Sequence, residues 1–358
     1  MSGRVLVYGA TGFSGRAIAE RLRDDGHDVV LAGREKSRLR ACAEGLGLPF
    51  RAFSLDDTSS LEHGLADVRV VMHAAGPFLR TATAMIEACV RTGTHYLDLA
   101  GEWPVFALAQ RRGPEAAAAG VMLMPGVGFS IVVSDCLLAH AVRQAGRASL
   151  LRVAISRPEI MSRGTLRSAL GLTSATTLVR RGGTLRRLPA GRLEAQFDFG
   201  EGGRPCVAVS WPDVVTGQHT TGVPDIEAYV EAGWVARLLY RGGGIAADLV
   251  GDEAVRRSLA MLDAAWPAAP SPAERQRATQ AVVVEVVDEW RRSALFRLRT
   301  LDGYTLTTET ASAVVARVLL QDWAPGFQTP AGLYGPGLIS GLGCVWQADP
   351  KTVAASPR

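Results

Sequence analysis

Three glycines stand three residues apart in the stretch Val7-Tyr8-Gly9-Ala10-Thr11-Gly12-Phe13-Ser14-Gly15-Arg16. Glycine at that spacing, between an apolar run and an amphipathic one, lets a pyrophosphate touch the backbone where a helix begins. Gly9 would turn the chain, Gly12 would admit the phosphate, and Gly15 would let helix and strand pack closely. The N–H groups of Thr11, Gly12, Phe13 and Ser14 would then face the anion, helped by the helix dipole. A tight turn of no function can carry the same glycines, so it is the strand-then-helix context that points to a dinucleotide.

The end of the second strand decides which dinucleotide. An acidic residue there would bind a ribose 2′-hydroxyl, but this chain has Leu31-Ala32-Gly33-Arg34-Glu35. Arg34 can grip a 2′-phosphate with a forked, charge-assisted contact, and Lys36 and Arg38 add field. The spacing therefore predicts NADP(H), with Glu35 as the rival group. Asp56, after the third strand, is placed to meet the adenine amino group. Ala74-Ala75-Gly76-Pro77-Phe78 ends the fourth strand beside the crevice. There Ala75 and Gly76 allow close approach, and Pro77 and Phe78 form a wall near the nicotinamide.

Hydride transfer needs an electrophilic carbon near the nicotinamide, and often an acid for the neighbouring atom. His95-Tyr96-Leu97-Asp98-Leu99-Ala100-Gly101-Glu102 brings Tyr96, Asp98 and Glu102 to the carboxyl edge of the fifth strand. Alternation puts Tyr96 and Asp98 on one face and His95 with Leu97 on the other. Asp98 can serve chemistry or hold the local loop, and the residue types leave both open. His95 reads as a structural histidine, and Asp135 as an anchor for the loop at 126–130. Arg163 and Thr165 to Ser168, at a predicted helix start, suit an anionic substrate group. The run Arg180, Arg181, Arg186, Arg187, Arg192 fits a solvated hairpin better than a cleft lining. Trp211 and Tyr229 read as core or pocket wall.

These groups need a scaffold. Strands are predicted over 4–10, 28–33, 49–55, 69–75, 95–100 and 120–127, alternating with helices over 14–25, 35–45, 59–65, 81–92 and 104–119. That rhythm implies an α/β fold, a Rossmann doubly wound parallel sheet over residues 1–127. After Gly128 come a helix over 132–143 and strands over 150–156, 193–199, 206–211, 280–289 and 294–301. They predict an α+β substrate domain over 128–304 with a mixed, largely antiparallel sheet. Residues 264–277 read as a proline-rich loop, and 305–358 as a segment returning to the first domain through a helix over 307–321.

The chain has 358 residues, long enough for two domains, with 47% hydrophobic and 21% charged residues. A net charge of +4 suits an anionic small molecule and is too diffuse for nucleic acid. Five scattered cysteines offer neither a disulfide framework nor a metal site. The first strand begins almost at once, with no leader before it and no apolar run of membrane length after it, so a cytoplasmic protein is expected. An edge of the second sheet could be buried in a homodimer.

Several stretches together resemble the saccharopine dehydrogenase-like oxidoreductases, which include saccharopine reductases and trans-acting enoyl reductases. They are residues 9–15, 74–78, 93–102, 125–138, 163–170, 220–229 and 329–335, in order along nearly the whole chain. The resemblance implies NAD(P)-dependent hydride transfer and substrate contacts at Phe129 and Ser130. Two positions depart from the family's stretch after the sixth strand: Ser130 replaces an acidic residue and Val133 a proline. The chain is also shorter than the enoyl reductases. An iminium is already electrophilic and needs little acid help, so a site without an obvious histidine or lysine acid agrees with reduction of an imine. The alternatives are C=C reduction on an acyl chain, or a protein that senses NADP without turnover.

Overall fold

The structure is a computed structural model that describes residues 3–157, 176–233, 237 and 271–347. The chain divides into two compact units, one of residues 1–132 with 304–338 and one of 133–303 with 339–358.

The first unit is built on seven strands in the order β15-β6-β5-β4-β1-β2-β3, every pair parallel. They are β1 (Arg4–Tyr8), β2 (Val29–Gly33), β3 (Phe50–Ala52), β4 (Val68–His73), β5 (His95–Asp98), β6 (Met122–Met124) and β15 (Gly326–Phe327). Helices on the crossovers cover both faces, which is why β1, β2 and β4 are near-continuous apolar runs with almost every residue buried. These helices are α1 (Phe13–Asp24), α2 (Lys36–Leu46), α3 (Thr58–Leu65), α4 (Phe78–Thr92) and α5 (Trp103–Ala118). The apolar stripe of α1 is Ile18, Ala19 and Leu22, all fully buried. Left-handed glycines end α2 at Gly47 and α4 at Gly93, as helix C-termini favour. The helix Gly303–Leu319 and the short strand β15 complete this unit from late in the sequence.

The second unit holds a nine-stranded sheet whose main path runs β10-β11-β12-β7-β13-β14-β16. Its strands are β7 (Leu150–Ile155), β8 (Thr176–Arg181), β9 (Thr184–Pro189), β10 (Glu194–Asp198), β11 (Gly203–Ala208), β12 (Asp225–Glu231), β13 (Thr279–Val287), β14 (Ser293–Leu301) and β16 (Val345–Trp346). Only β12 with β7 is parallel, so the expected mixed, largely antiparallel sheet is present. On one face the helix Asp213–Thr221 lies close: a Cβ on Gly217 would come 3.1 Å from Ile226 and 3.2 Å from Leu138. Leu138 belongs to α6 (Phe129–Ala145). The opposite face gathers Ala154, Phe197, Phe199, Cys206, Ala208, Tyr229 and Val283 into one buried cluster.

Three details differ from the sequence expectation. Residues 272–277, read as loop, form a short helix closed by a Ser271–Glu274 capping box. Residues 213–221 form a helix despite β-branched residues and a glycine, because burial of Val214, Val215 and Gly217 outweighs weak propensity. The segment after Leu338, expected to stay with the first domain, places Val345–Trp346 beside β14 in the second sheet.

Candidate functional site

The glycine loop lies between β1 and α1, and its three glycines are not equivalent. Gly9 has a φ of +92°, and a Cβ there would sit 2.8 Å from the backbone of Ala74 and Ala75. A Cβ on Gly15 would reach 2.4 Å from the Gly9 carbonyl oxygen. Both are glycine because the protein's own backbone leaves no space. Gly12 is different: it is exposed, and a Cβ would meet only the Gly9 oxygen, at 3.3 Å. Gly12 also caps α1 without a capping side chain, and no acidic residue occupies the first turn. The helix start is thus left positive, beside exposed Thr11 and Phe13 and half-buried Ser14.

At the end of β2, Gly33 is buried and Arg34 exposed. Among the described residues no carboxylate pairs with Arg34, whereas Glu35 is turned to Arg38 at 3.5 Å. The Tyr8 hydroxyl donates to the Phe53 carbonyl at 3.2 Å. Burial pushes this phenol up to about 12, with the Arg34 charge opposing and the Asp56 charge reinforcing the shift. Both charges are therefore felt at the same phenol. Asp56 is exposed and bonded to the Ser54 hydroxyl at 3.2 Å.

The wall after β4 is held from two sides. The Thr81 hydroxyl donates to the Ala75 carbonyl at 2.9 Å, and the Phe78 ring stands 5.4 Å from the His73 ring. Gly76 and Pro77 are exposed, and a Cβ on Gly76 would meet only the Phe78 ring at 3.7 Å. Gly76 therefore has room that the protein itself does not fill, and Gly12 is crowded only by the Gly9 oxygen. Exposed backbone after β1 and after β4 is of the kind a dinucleotide would need at a helix start and a strand end.

Tyr96 and Asp98 do share a face of β5, as alternation requires, but both are fully buried. The Tyr96 hydroxyl donates to Asp98 Oδ2 at 2.6 Å, while Oδ1 accepts the amides of Ala100 at 2.8 Å and Gly126 at 2.7 Å. Burial pushes Asp98 up to about 6 against these three bonds. Burial likewise drives the Tyr96 phenol far above its ordinary range, with the Asp98 charge adding to it. A group with no exposed atom cannot reach a substrate in this structure, so Asp98 here ties the loops after β5 and β6 together. Glu102 is only half buried; burial raises its carboxyl, and Oε2 accepts the Gly101 amide at 2.9 Å. Of the three proposed acids it alone reaches the surface.

His95 points to the other face, where Nδ1 accepts the Met122 amide at 3.1 Å and the ring lies 4.2 Å from Trp323. The loop at 126–128 is held by Asp98 and by Thr310, whose hydroxyl donates to the Val127 carbonyl at 2.9 Å. Asp135, expected to anchor that loop, accepts the Thr220 hydroxyl at 2.5 Å. Phe129 is buried at the start of α6, its amide donating to Thr307 at 3.1 Å, and Ser130 is half buried beside it. Arg163 and Thr165 lie outside the described residues.

The arginine run is a hairpin, β8 and β9 turning at Gly182 and Gly183, with Arg186, Arg187 and Arg192 exposed. It is not wholly solvated. Arg180 is buried and donates to the carbonyls of Val214 and Gly183, both at 2.6 Å. Arg181 pairs with buried Glu227. Tyr229 is core, and Trp211 packs on Val207, Val209 and Ala232. Sequence reasoning passed over His73 and Thr310 entirely. Both are polar residues within apolar stretches, and the only signal was their position just before or across from the loops they hold.

Residues 5–124 match the family model of the saccharopine dehydrogenase NADP binding domain. A putative trans-acting enoyl reductase of Mycobacterium tuberculosis is 35% identical over 158 residues, covering 41% of this chain and 38% of that protein. A trans-acting enoyl reductase of Mycobacterium leprae is 35% identical over 139 residues, covering 37% of this chain and 33% of that protein. The chain thus spans little more than a third of the length of these curated relatives. The apo saccharopine dehydrogenase (L-Glu forming) of Saccharomyces cerevisiae shares the fold, with a TM-score of 0.61 at 16% identity, over 98% of this chain and 100% of that one. Glycine loop, unpaired arginine and matched domain agree on the amino-terminal unit: residues 5–124 match the NADP binding domain of the saccharopine dehydrogenases, and the chain shares that enzyme's fold.

Proposed function

We propose that this protein is an NADP(H)-dependent reductase that passes a hydride to a small unsaturated molecule, with an imine as the acceptor. The observation that supports this reading best is the contrast within the glycine loop and wall: Gly9 and Gly15 are demanded by the protein's own packing, Gly12 and Gly76 are not. Open backbone at those two points is what a bound dinucleotide needs. The cofactor, when bound, supplies the hydride. The chain's part is to seat the pyrophosphate at the α1 start, grip the 2′-phosphate with Arg34, and set the wall 75–78 beside the reacting face.

Glu102 is the group we assign to proton handling, because it is half buried, raised by burial and close to the Phe78 end of the wall. Tyr96 and Asp98 then act by holding loops and not by touching substrate. An acceptor that is already cationic asks little of one half-buried carboxyl, and this favours C=N. The names of the mycobacterial relatives favour a second reading, hydride addition to C=C of an acyl chain. The absence of NADP turnover in any screen would leave the sensing role as the remaining reading.

The test is a nicotinamide fluorescence titration of the full chain with NADPH and NADH, wild type against Arg34→Ala. Wild type should prefer NADPH, and Arg34→Ala should weaken NADPH binding by about 10- to 100-fold, the worth of one charge-assisted fork, and leave NADH unchanged. Equal affinities, or an unaffected variant, would remove Arg34 from the site. Oxidation of NADPH with cyclic imines against enoyl thioesters then separates the two acceptor classes.

A further inference from the structure

His73 closes β4 shortly before the wall and is fully buried. Three rings surround it at steep angles: Tyr8 at 5.7 Å, Phe78 at 5.4 Å and Tyr96 at 6.0 Å. Its Nδ1 lies 3.3 Å from the Tyr96 hydroxyl. That hydroxyl has one hydrogen, and it goes to Asp98 Oδ2 at 2.6 Å. The Tyr96 oxygen can therefore only accept from His73, so Nδ1 carries the proton and Nε2 keeps its lone pair. The other oxygen of Asp98 holds the amides of Ala100 and Gly126. One hydrogen-bonded chain thus joins the loops after β5 and β6 to the imidazole under Phe78.

We propose that Asp98, acting through Tyr96, fixes the tautomer and orientation of His73, and that His73 is a positioning residue for the Gly76–Phe78 wall beside the nicotinamide. The proposal rests on the reading that this crevice holds NADP(H). Burial keeps His73 down at about 3, so the ring stays neutral in any working buffer and acts by where it stands. Phe78 is then held by its ring, which stands edge-on to His73 at 5.4 Å. Displacing the imidazole moves the wall without touching the pyrophosphate seat at Gly12 or the arginine at 34.

The experiment uses the full chain labelled with ¹⁵N-histidine at pH 7.5, with the imidazole nitrogens read by long-range ¹H–¹⁵N correlation and His73 assigned from a His73→Gln sample. Wild type should show the Nδ1–H tautomer. In Asp98→Asn the Oδ1 atom keeps the two amides, so Nδ2 must donate to Tyr96. The Tyr96 O–H then turns to His73, and the proton should move to Nε2. In parallel, bound NADPH in Asp98→Asn should keep its affinity within about threefold of wild type while its nicotinamide emission falls at least about twofold. Tyr96→Phe, which cuts the chain and leaves the amide bonds alone, should give the same loss of emission.

An Nε2–H tautomer in wild type, or no change in Asp98→Asn, overturns the link from Asp98 to His73. A tautomer switch with unchanged nicotinamide emission in both variants overturns the positioning role. Wild type that binds no NADPH overturns the cofactor reading and the wall's role with it. That failure is separate from the tautomer result, which is read without cofactor.

Discussion

The two units bury polar groups for opposite ends. In the first, Asp98 and Thr310 are buried beside the carboxyl edge of a parallel sheet, and both hold the loop after β6. In the second, one buried polar network lies within the sheet. Glu227 is 2% exposed on β12 and accepts from Arg152 of β7 at 3.0 Å, from Tyr229 at 2.5 Å and from Arg181 of β8. Arg152 reaches on to Glu285 of β13 at 3.1 Å. The register puts Glu227, Arg152 and Glu285 directly opposite one another across three strands. The first network ties a loop to a strand end; the second is a cross-strand ladder that specifies which strands pair.

The sharpest way to break this comparison is in the glycine loop. Gly15→Ala places a methyl 2.4 Å from a backbone oxygen, which must displace the loop. NADPH binding should be lost, and the first unit should be destabilised by about 1–3 kcal/mol, the usual cost of overpacking. Gly12→Ala has nearly enough room, so it should lose NADPH binding with little change in melting temperature. Calorimetry with and without NADPH separates the two, and a Gly12→Ala protein that binds normally would refute the different roles assigned to these glycines.

In the second unit, Glu227→Gln leaves two arginines facing a neutral amide. Breaking a fully buried ion pair costs about 3–5 kcal/mol. Arg152 and Arg181 have side chains 35% and 34% exposed, so water softens the loss to about 2 kcal/mol. Urea unfolding should show that loss with NADPH affinity unchanged. A drop in affinity would mean that the ladder serves the cofactor site after all.

The smallest effect concerns Asp213, fully buried in the second unit. Burial pushes it up to about 7, the Asp135 charge adds to this, and the Ser134 hydroxyl opposes it. Its ordinary value is 3.8, so between about 4 and 7 the folded state binds more protons than the unfolded one. Stability should fall as pH rises through that window and level off above it. Asp213→Asn should flatten the slope and melt a few °C above wild type at pH 8, since about 1 kcal/mol moves a chain of this size by roughly 2–4 °C. Melting curves from pH 4 to pH 8 decide it.

Much of the first unit was legible because its signals are local. Apolar runs at β1, β2 and β4 need no partner to be recognised, and the glycine spacing states its own geometry. Edges moved by only a few residues; for example, the strand expected to reach Ala75 stops at His73. The function of Asp98 was not legible. Its type and its place at a strand end suit chemistry and loop-holding equally, and only the Gly126 amide, 28 residues away, decides between them. The second unit hid β12 for a related reason: Asp225, Glu227 and Glu231 look like a solvated segment until Arg152 and Arg181 are brought alongside. Likewise the arginine run looked like surface, yet its first two members turn inward to carbonyls and to Glu227.

The short strand β15 carries a consequence for synthesis. It pairs with β6 about 200 residues after β6 itself has been made. At roughly 5–20 residues per second, a ribosome would leave the Met122–Met124 edge uncovered for about 10–40 s. Over that interval Val127 also lacks the Thr310 hydroxyl, and Phe129 lacks Thr307. The nascent amino-terminal half would emerge as an apolar open-edged sheet, the kind of surface that invites pairing with another chain. Holdase chaperones should therefore engage the stalled nascent chain before residue 326 emerges, and release it once Gly326–Phe327 has added the last strand.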